Sequence, residues 1–360
     1  MHLSSLYLRN FRSHEEAWVE FGPRLNNIYG PNAQGKTNLL EAIYFLIIGR
    51  SFRTQGLSDL IRYEADSFFL EARFVKNGIE QTLRVSTDGK EKSIVYNSTK
   101  YASFTNLLGL LQGVVLSPQD NALVSGSPLL RRRYLDIQIA QVDPLYVHHL
   151  SRYTRAMKQR NTLLRRKKTT AIEVWELEMA KAAAYITKER SHTVGDLSEK
   201  ASKIQLSLSK GNDLLKLQYK TSAPVKSEKK ELFEYFLEQY NKLRNREMLL
   251  GYTTTGPHRD DMVISIHDKD ARLFASEGQK CSCAVSLRLA EWQRLNEISG
   301  EAPLMAIDDI GNSLDRSRKE AIGQYLSDLG QVFVTSTERL PALDSHLIEI
   351  SGLLQEGVTQ

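Results

Sequence analysis

The fold of this chain is decided by the stretch Gly30-Pro31-Asn32-Ala33-Gln34-Gly35-Lys36-Thr37. It fits the phosphate-binding pattern G-x-x-x-x-G-K-[ST], and its context fits too, because residues 25–29 predict a buried strand and 39–47 an apolar helix. In such a loop the glycines let backbone N–H groups point at a phosphate, which also meets the positive end of the helix dipole. Lys36 would reach the β- and γ-phosphates of a nucleotide, and the Thr37 hydroxyl would ligate Mg²⁺.

Outward from this loop, the chain divides into three regions of different character. Residues 1–128 carry short apolar runs separated by turns, and the antiparallel strands predicted there are 68–75, 81–86 and 92–96. Residues 129–248 have a largely helical pattern rich in charge, with one strand predicted at 214–220. Strands and helices alternate again over 249–360. The simplest architecture is one α/β domain built from 1–128 and 249–360, with a helical insertion at 129–248.

An acidic pair follows a short apolar strand in the third region. The strand is predicted at 303–307, and Asp308 and Asp309 come directly after it. One acid at a strand tip can hold Mg²⁺ through water, while its neighbour polarises the attacking water. Strand-end aspartates often only cap the next loop, so the pair gains its meaning from the phosphate loop.

The segment Ser276-Glu277-Gly278-Gln279 precedes a helix predicted at 284–296. By itself it fits an ordinary helix N-cap, with Ser276 capping and a glutamate close behind. It equally fits Ser-x-Gly-Gln, the core of the signature loop of ABC-type ATPases. Its position after the phosphate loop and shortly before the acidic pair favours the second interpretation.

The order of phosphate loop, helical insertion, signature loop and acidic pair resembles the ABC-type ATPases of chromosome maintenance and DNA repair. Among these the chain closely resembles the RecF family of bacterial recombination mediators. Four further stretches carry the resemblance, namely LRNFRSH (8–14), GKTNLLEAI (35–43), GSPLLRRRYLD (126–136) and TTTGPHRDD (253–261). The resemblance implies an α/β fold, an ABC-type P-loop ATPase head with an antiparallel β subdomain and a mostly helical inserted domain.

The resemblance also implies roles for residues outside the phosphate loop. Arg12 and Asn38 are expected near the nucleotide. Gln119, where the family usually has Glu, is expected in the loop that senses the γ-phosphate and metal. Asp308 would hold Mg²⁺ through water together with Thr37 and Gln119. Asp309 would be the catalytic carboxylate, acting with Lys36 and Gln119.

The signature residues Ser276, Gly278 and Gln279 are expected to act in trans, across a dimer that sandwiches ATP. Asp315 matches the D-loop of the family, although the Glu that commonly precedes it is missing. Transporter ATPases carry a histidine after the strand predicted at 331–334. This chain has none there, so Thr335 or Thr337 would have to serve.

The charge of the chain is concentrated in the insertion. A formal net charge of +5, from 48 basic and 43 acidic residues, is too small to identify a polyanionic partner. Yet no acidic residue lies between Pro144 and Ile172. The basic side chains of that stretch are Arg152, Arg155, Lys158, Arg160, Arg165, Arg166, Lys167 and Lys168. A solvated helix face is the ordinary interpretation, but the lack of carboxylates along the helix and the DNA-handling family favour DNA phosphate binding. Tyr146 and Tyr153 are predicted to be packing residues.

Composition and cysteine usage predict a cytoplasmic protein without a membrane partner. The longest apolar run, 42–48, is too short to span a bilayer, and the N-terminus lacks the pattern of a signal peptide. Cys281 and Cys283 are too close in sequence for an ordinary disulfide and cannot complete a structural zinc site alone. They are expected to be reduced packing residues beside the signature loop.

These features predict an ATP-dependent DNA-binding protein of recombinational gap repair and replication maintenance. ATP and Mg²⁺ are the expected cofactors. ATP would drive a homodimer that clamps double-stranded or gapped DNA, and slow, DNA-stimulated hydrolysis would release it. The resemblance implies RecR, acting with RecO, as the partner that helps to load the recombinase.

Two alternatives are weighed against this prediction. A transport-type ABC ATPase subunit is disfavoured by the short signature, the absent histidine and the large insertion. A structural chromosome-organising ATPase would need long coiled-coil arms. About 120 inserted residues at about 1.5 Å per residue predict helices of only about 25–40 Å.

Overall fold

The computed structural model describes residues 1–54, 56–224, 228–309, 325–326, 328–339 and 345–351. Its strands are β1 (His2–Phe11), β2 (His14–Glu20), β3 (Leu25–Tyr29), β4 (Phe68–Lys76), β5 (Ile79–Thr87), β6 (Lys92–Tyr96), β7 (Thr99–Tyr101), β8 (Gly113–Leu116), β9 (Leu215–Lys220), β10 (Asp261–Ile266), β11 (Lys269–Asp270), β12 (Leu304–Ile307), β13 (Val332–Ser336) and β14 (His346–Glu349). Its helices are α1 (Lys36–Ile48), α2 (Asn121–Ser125), α3 (Pro128–Ala140), α4 (Pro144–Arg165), α5 (Ile172–Leu208), α6 (Lys229–Leu250), α7 (Ala271–Phe274) and α8 (Glu277–Ser299), with 3₁₀ turns at Ser58–Leu60, Phe104–Leu107 and Pro118–Asp120.

The chain forms two compact units. Unit 1 contains residues 1–121, 207–211 and 277–360, and unit 2 contains 122–206 and 212–276. The predicted insertion ended at residue 248, and this boundary is wrong. β10 pairs along its length with β9 of the insertion, so residues up to 276 fold with unit 2.

Unit 1 contains a five-stranded parallel sheet in the order β14-β3-β13-β12-β8. All residues of β8 and β12 are buried, as expected for parallel strands covered on both faces. Because the strands are parallel, their carboxyl ends share one edge of the sheet. The phosphate loop follows β3 at that edge, and the acidic pair follows β12.

Unit 1 also contains an antiparallel sheet in the order β2-β1-β4-β5-β6-β7. The three strands predicted there are present as β4, β5 and β6, whereas β1 and β2 were not anticipated. The β4–β5 hairpin turns at Asn77 and Gly78, whose φ angles of 53° and 72° are the positive pair that such tight turns require. Beneath the sheet, the Phe68 ring packs edge-on against Phe11 and Phe45, at 5.2 and 5.5 Å between centroids.

Unit 2 is mostly helical, with the small antiparallel sheet β11-β10-β9. The strand predicted at 214–220 is therefore β9, and it has a partner in β10. Helix α5 has 37 residues and is about 55 Å long, which exceeds the expected 25–40 Å because one helix takes nearly a third of the insertion. Neither α5 nor any other described helix has the length and apolar character needed to cross a membrane.

Candidate nucleotide-binding site

The phosphate loop runs from the end of β3 to the start of α1 and is bent by residues in the left-handed region. Gly30, Ala33 and Gly35 have φ angles of 146°, 65° and 95°. A Cβ at Gly30 would lie 2.6 Å from the Ile350 side chain, and one at Gly35 would lie 2.8 Å from His14 Nε2. Both glycines are thus required by close approach as well as by conformation.

His14 contacts the phosphate loop at Gly35. Burial lowers the pKa of its imidazole, so the ring is neutral near pH 7. Its Nε2 lies 3.2 Å from the Gly35 carbonyl oxygen. Because a carbonyl can only accept, Nε2 carries the hydrogen and donates it. The sequence did not indicate this contact, which packs the β1–β2 turn against the start of α1.

The start of α1 is left open to an anion. Its N-cap is Gly35, no described side chain caps it, and its first turn contains no acidic residue. The first N–H groups of the helix therefore point outward with the positive end of its dipole. Lys36 is nearly buried, and its Nζ donates to the carbonyl oxygens of Gly30 at 2.6 Å and Pro31 at 2.8 Å. The ammonium group is thus held against the loop that it would serve.

The acidic pair is joined to the phosphate loop by hydroxyl groups. Asp308 Oδ1 accepts hydrogen bonds from Thr37 Oγ1 at 2.9 Å and from Thr335 Oγ1 at 2.8 Å. Asp309 donates its backbone N–H to the Thr335 hydroxyl at 3.0 Å and has a φ of 38°. Thr335 therefore fixes both carboxylate residues, whereas Thr337 is exposed. Of the two threonines that sequence left open, the fold brings Thr335 to the acidic pair.

This donor set fits a triphosphate and a hard cation. The uncapped helix start and the Lys36 ammonium suit phosphate oxygens. The Thr37 hydroxyl and the Asp308 carboxylate are oxygen ligands of the kind that Mg²⁺ prefers. Both groups already lie within hydrogen-bond distance of each other. The residues of the loop and the strand tip are thus brought together in one site.

Gln119 is exposed on the 3₁₀ turn after β8, the strand next to β12. Asn38 lies on the first turn of α1, where its Nδ2 donates to Ser13 Oγ at 2.8 Å and its Oδ1 accepts from Arg53 Nη1 at 2.9 Å. Arg53 was missed at the sequence level because nothing in its local pattern indicates a contact with the helix. The roles of Gln119 and Asn38 toward a nucleotide stay predictions.

Arg12 is bound to α1 through a carboxylate. Its Nε and Nη2 donate to the two oxygens of Glu41 at 2.9 and 2.7 Å, and Nη2 also reaches Thr54 Oγ1 at 3.0 Å. Glu41 is fully buried and is the single acidic residue of α1. A single glutamate in an otherwise apolar helix predicts a basic partner, and this pattern could have indicated Arg12 from the sequence. The expected role of Arg12 near the nucleotide stays a prediction.

The signature residues lie where unit 2 passes into unit 1. Ser276 is exposed and directly precedes α8, and Gly278 and Gln279 belong to the first turn of that helix. The helix starts at Glu277, about two turns before its predicted start at residue 284. Asp315 lies outside the described residues.

The two cysteines lie just past the signature residues, on the same helix. Cys281 and Cys283 are both free and buried, so their predicted packing role is confirmed.

One member of the basic stretch is an interior residue. Arg160 is 0% exposed, and its five N–H groups make five hydrogen bonds. Nε and Nη2 donate to Glu176 Oε1, Nη1 donates to Glu247 Oε2 and Thr253 Oγ1, and Nη2 also reaches the Tyr240 carbonyl oxygen. The expectation that Arg160 binds DNA is therefore wrong, because its charge is already matched and shielded from solvent.

The remaining basic side chains of the stretch are exposed. Arg152 forms an ion pair with Glu178 of α5, a partner that the lack of acids along α4 could not reveal. Arg155, Lys158 and Arg165 share the side of α4 opposite its buried positions, and we name these three the basic stripe. Arg166, Lys167 and Lys168 follow it. Tyr146 and Tyr153 are buried, which confirms that they pack.

A parallel sheet whose carboxyl edge joins a phosphate loop to an acidic pair defines a P-loop ATPase head of the ABC type, here with a helical insertion. The family model of the RecF/RecN/SMC N terminal domain matches residues 2–346. The chain is 52% identical over 339 residues to the DNA replication and repair protein RecF of Protochlamydia amoebophila, covering 94% of each chain. It is 38% identical to the protein of that name from Chlamydia caviae, covering 94% of this chain and 92% of that one. The chain belongs to the RecF family.

Solved structures support the same assignment over nearly all of the chain. A structure of the recombination mediator protein RecF with ATPrS in the RecFOR pathway has a TM-score of 0.88 at 32% identity, covering 97% of this chain and 96% of that one. A structure of RecF with ATP in that pathway also has a TM-score of 0.88 at 32% identity, over 95% and 93% of the two chains. The predicted family and fold class are therefore confirmed.

Proposed function

We propose that this chain is an ATP-dependent DNA-binding protein of recombinational gap repair and replication maintenance. The observation that carries the proposal is the hydrogen-bonded link from Thr37 through Asp308 to Thr335, which unites the phosphate loop and the acidic pair in one site. Relatives named for DNA replication and repair, and a RecF structure with ATP, support ATP binding and hydrolysis in this setting.

Each part of the site has a distinct task in the proposed hydrolysis. Lys36 and the free N–H groups at the start of α1 hold the phosphates and orient the terminal one. Thr37, Asp308 and Gln119 would hold Mg²⁺, which when bound neutralises charge on the phosphate oxygens. Asp309 accepts a hydrogen bond from the attacking water and takes up its proton. Because Asp is shorter than Glu, hydrolysis is slow, which suits a timer.

Dimerisation places the exposed Ser276, with Gly278 and Gln279, against the nucleotide of a second copy. The ATP-bound dimer clamps double-stranded or gapped DNA through the basic stripe, and DNA stimulates the hydrolysis that opens the clamp. The RecFOR pathway of the structural relatives supports RecR, with RecO, as the partner that helps to load the recombinase. We place this activity in the cytoplasm.

The test is whether the full chain dimerises when it binds ATP. Light scattering measures the oligomeric state without nucleotide and with ATP or a slowly hydrolysed analogue. We expect dimers with nucleotide and monomers without it. Lys36→Ala should abolish nucleotide binding and dimers together. Ser276→Arg should abolish dimers while each monomer still binds one nucleotide, and it is therefore the matched control. Unchanged dimerisation in both variants would overturn the proposal.

Hydrolysis with and without gapped DNA separates the alternatives. Stimulation by DNA is the expected result. An ATPase indifferent to DNA would point to the transport class, and a chain without ATPase activity would point to a structural role.

A further inference from the structure

Helix α8 is ion-paired to the turn that carries Gln119. Arg288, about three turns into α8, donates from Nη2 to Asp120 Oδ1 at 2.6 Å. The Arg288 and Asp120 side chains are only 18% and 8% exposed. Water screens such a pair weakly, so the contact is stronger than a surface ion pair. Both residues belong to unit 1.

The carboxylate of Asp120 also sets the shape of the turn. Its Oδ2 accepts the backbone N–H of Ser117 at 2.8 Å, while the Asp120 backbone N–H donates to the Ser117 carbonyl oxygen at 2.9 Å. These two bonds enclose Pro118 and Gln119 between them. A movement of the Asp120 side chain is therefore transmitted directly to the backbone of Gln119.

Arg288 is fixed to α8 by a second carboxylate. Its Nη1 donates to Oε2 of the buried Glu291, one turn further along the helix, at 2.8 Å. Cys281, Ala284 and Arg288 are spaced so that they share one face of α8. The first two line a cavity of about 20 Å³, together with Ser117 of the turn. Side-chain packing between the start of α8 and the Gln119 turn is thus incomplete. The Arg288–Asp120 ion pair, by contrast, joins this helix and this turn directly.

We propose that the Arg288–Asp120 ion pair couples the two nucleotide sites of the dimer, with Arg288 as a positioning residue. It rests on the proposed function, in which the start of α8 binds the partner's nucleotide and Gln119 senses that of its own subunit. Because α8 is a rigid rod, engagement of its first turn by the partner's nucleotide moves Arg288 and, through Asp120, the Gln119 turn. Coupling is reciprocal, so occupancy of each site favours engagement of the other.

A double-mutant cycle on the full chain tests the coupling. Asp120→Asn keeps an oxygen for the Ser117 N–H but removes the ion pair, and Gln119→Ala removes the sensing side chain. Dimer dissociation constants with the slowly hydrolysed analogue are measured for each single variant and for the double variant. We expect each single variant to weaken the dimer by about tenfold, and the double variant by little more than either alone, since coupled residues are not additive. Effects that multiply to about a hundredfold would overturn the proposal.

Three further variants distinguish loss of the ion pair from general damage to the fold. Arg288→Lys keeps a charge opposite Asp120 and should retain most of the wild-type dimer affinity, whereas Arg288→Met should behave as Asp120→Asn does. Glu291→Gln weakens the contact that fixes Arg288 to α8, so combined with Gln119→Ala it should also weaken the dimer by less than the product of the two single effects. Thermal unfolding identifies any variant that fails to fold, in which case the remaining members of the set complete the cycle.

The ATP dependence of hydrolysis supplies an independent readout. Wild type should show a Hill coefficient above 1, and Asp120→Asn should lower it while one nucleotide still binds each monomer. An unchanged coefficient would contradict the coupling. If wild type forms no ATP-dependent dimer, the proposed function itself fails. If the dimer forms and the effects simply multiply, only the coupling fails.

Discussion

Two buried charged groups, one in each compact unit, are used in opposite ways. At the sheet edge of unit 1, Asp308 is 5% exposed and is held by the hydroxyl groups of Thr37 and Thr335. Within the described part of the chain, no lysine or arginine forms an ion pair with it. In unit 2, Arg160 lies between Glu176 and Glu247 with every N–H group bonded. Asp308 is thus held by neutral hydroxyl groups, whereas Glu176 and Glu247 are each paired with a cation.

The difference separates a ligand site from a structural cluster. Arg244 also donates to Glu176, at 2.6 Å, and to the exposed Glu173, so the cluster of unit 2 contains two cations, two buried carboxylates and one exposed carboxylate. A buried charge stabilises a fold only when its partners are supplied, and removal of one partner leaves the other uncompensated. A carboxylate held by neutral hydroxyls is instead free to take its counter-charge from a cation. We therefore expect changes at the acidic pair of unit 1 to affect turnover and changes at Arg160 of unit 2 to affect stability.

The largest expected effect is on turnover in Asp309→Asn. Loss of the carboxylate proposed to accept the water proton should lower kcat by about 10²–10⁴-fold, the usual contribution of a general base. Phosphate release measures the rate, and nucleotide binding should be unchanged. The free energy of unfolding should stay within about 0.5 kcal/mol of wild type, because Asp309 is exposed. Retention of most of the activity would assign the catalytic role to another residue.

Arg160→Met should mainly destabilise the fold. It leaves Glu176 and Glu247 buried without their shared cation, which typically costs about 3–5 kcal/mol. Urea unfolding followed by circular dichroism measures the loss. The matched control is Arg155→Met on the exposed side of the same helix, where the expected change is within about 0.5 kcal/mol. Equal losses in the two variants would contradict the distinction between interior and surface.

The pH dependence of stability should reveal a buried histidine of unit 2. Burial lowers the pKa of His258 from 6.5 to about 4, with Arg259 and Arg132 adding to the effect. The neutral ring donates from Nε2 to the Thr253 carbonyl oxygen at 3.1 Å and accepts at Nδ1 from the Tyr153 hydroxyl at 2.6 Å. Below pH 6.5 the unfolded chain binds a proton that the folded chain takes up only near pH 4.

Stability should therefore fall as the pH drops through this window, by up to about 1.4 kcal/mol per pH unit from this group alone. Urea unfolding of wild type and His258→Gln at several pH values between about 4 and 7 measures it. The variant should show a shallower slope. Parallel curves would mean that His258 titrates normally in the folded protein.

The smallest expected effect concerns DNA binding by the surface of α4. Changing Arg155 and Lys158 of the basic stripe to Gln should lower the slope of log affinity against log salt by about 0.9 for each DNA phosphate that the variant no longer neutralises. Fluorescence anisotropy with gapped DNA at several salt concentrations measures it. Arg152→Gln should change the slope less, because Glu178 already neutralises that charge. An unchanged slope in the double variant would remove the stripe from the DNA surface.

Short-range features of the fold were predictable, and long-range partners were not. The loop from Gly30 to Thr37 is one continuous segment, so its glycines, lysine and threonine indicate their chemistry together. Most strands of unit 1 were visible as apolar runs between turns. The ion pair of Arg288 with Asp120 joins residues 168 positions apart, and no local pattern indicates it. Arg160 resembled its exposed neighbours in sequence because burial depends on three other chain segments.

The phosphate loop, the acidic pair, their order and the presence of an insertion follow from the amino-acid sequence alone, because each depends on residues that are neighbours along the chain. The folded structure was needed to show that Thr335 rather than Thr337 contacts the acidic pair, that Glu41 binds Arg12 and that Arg160 is an interior residue. The physical reason is that hydrogen bonds and ion pairs act over a few ångströms. They can be assigned only after folding has brought distant residues together.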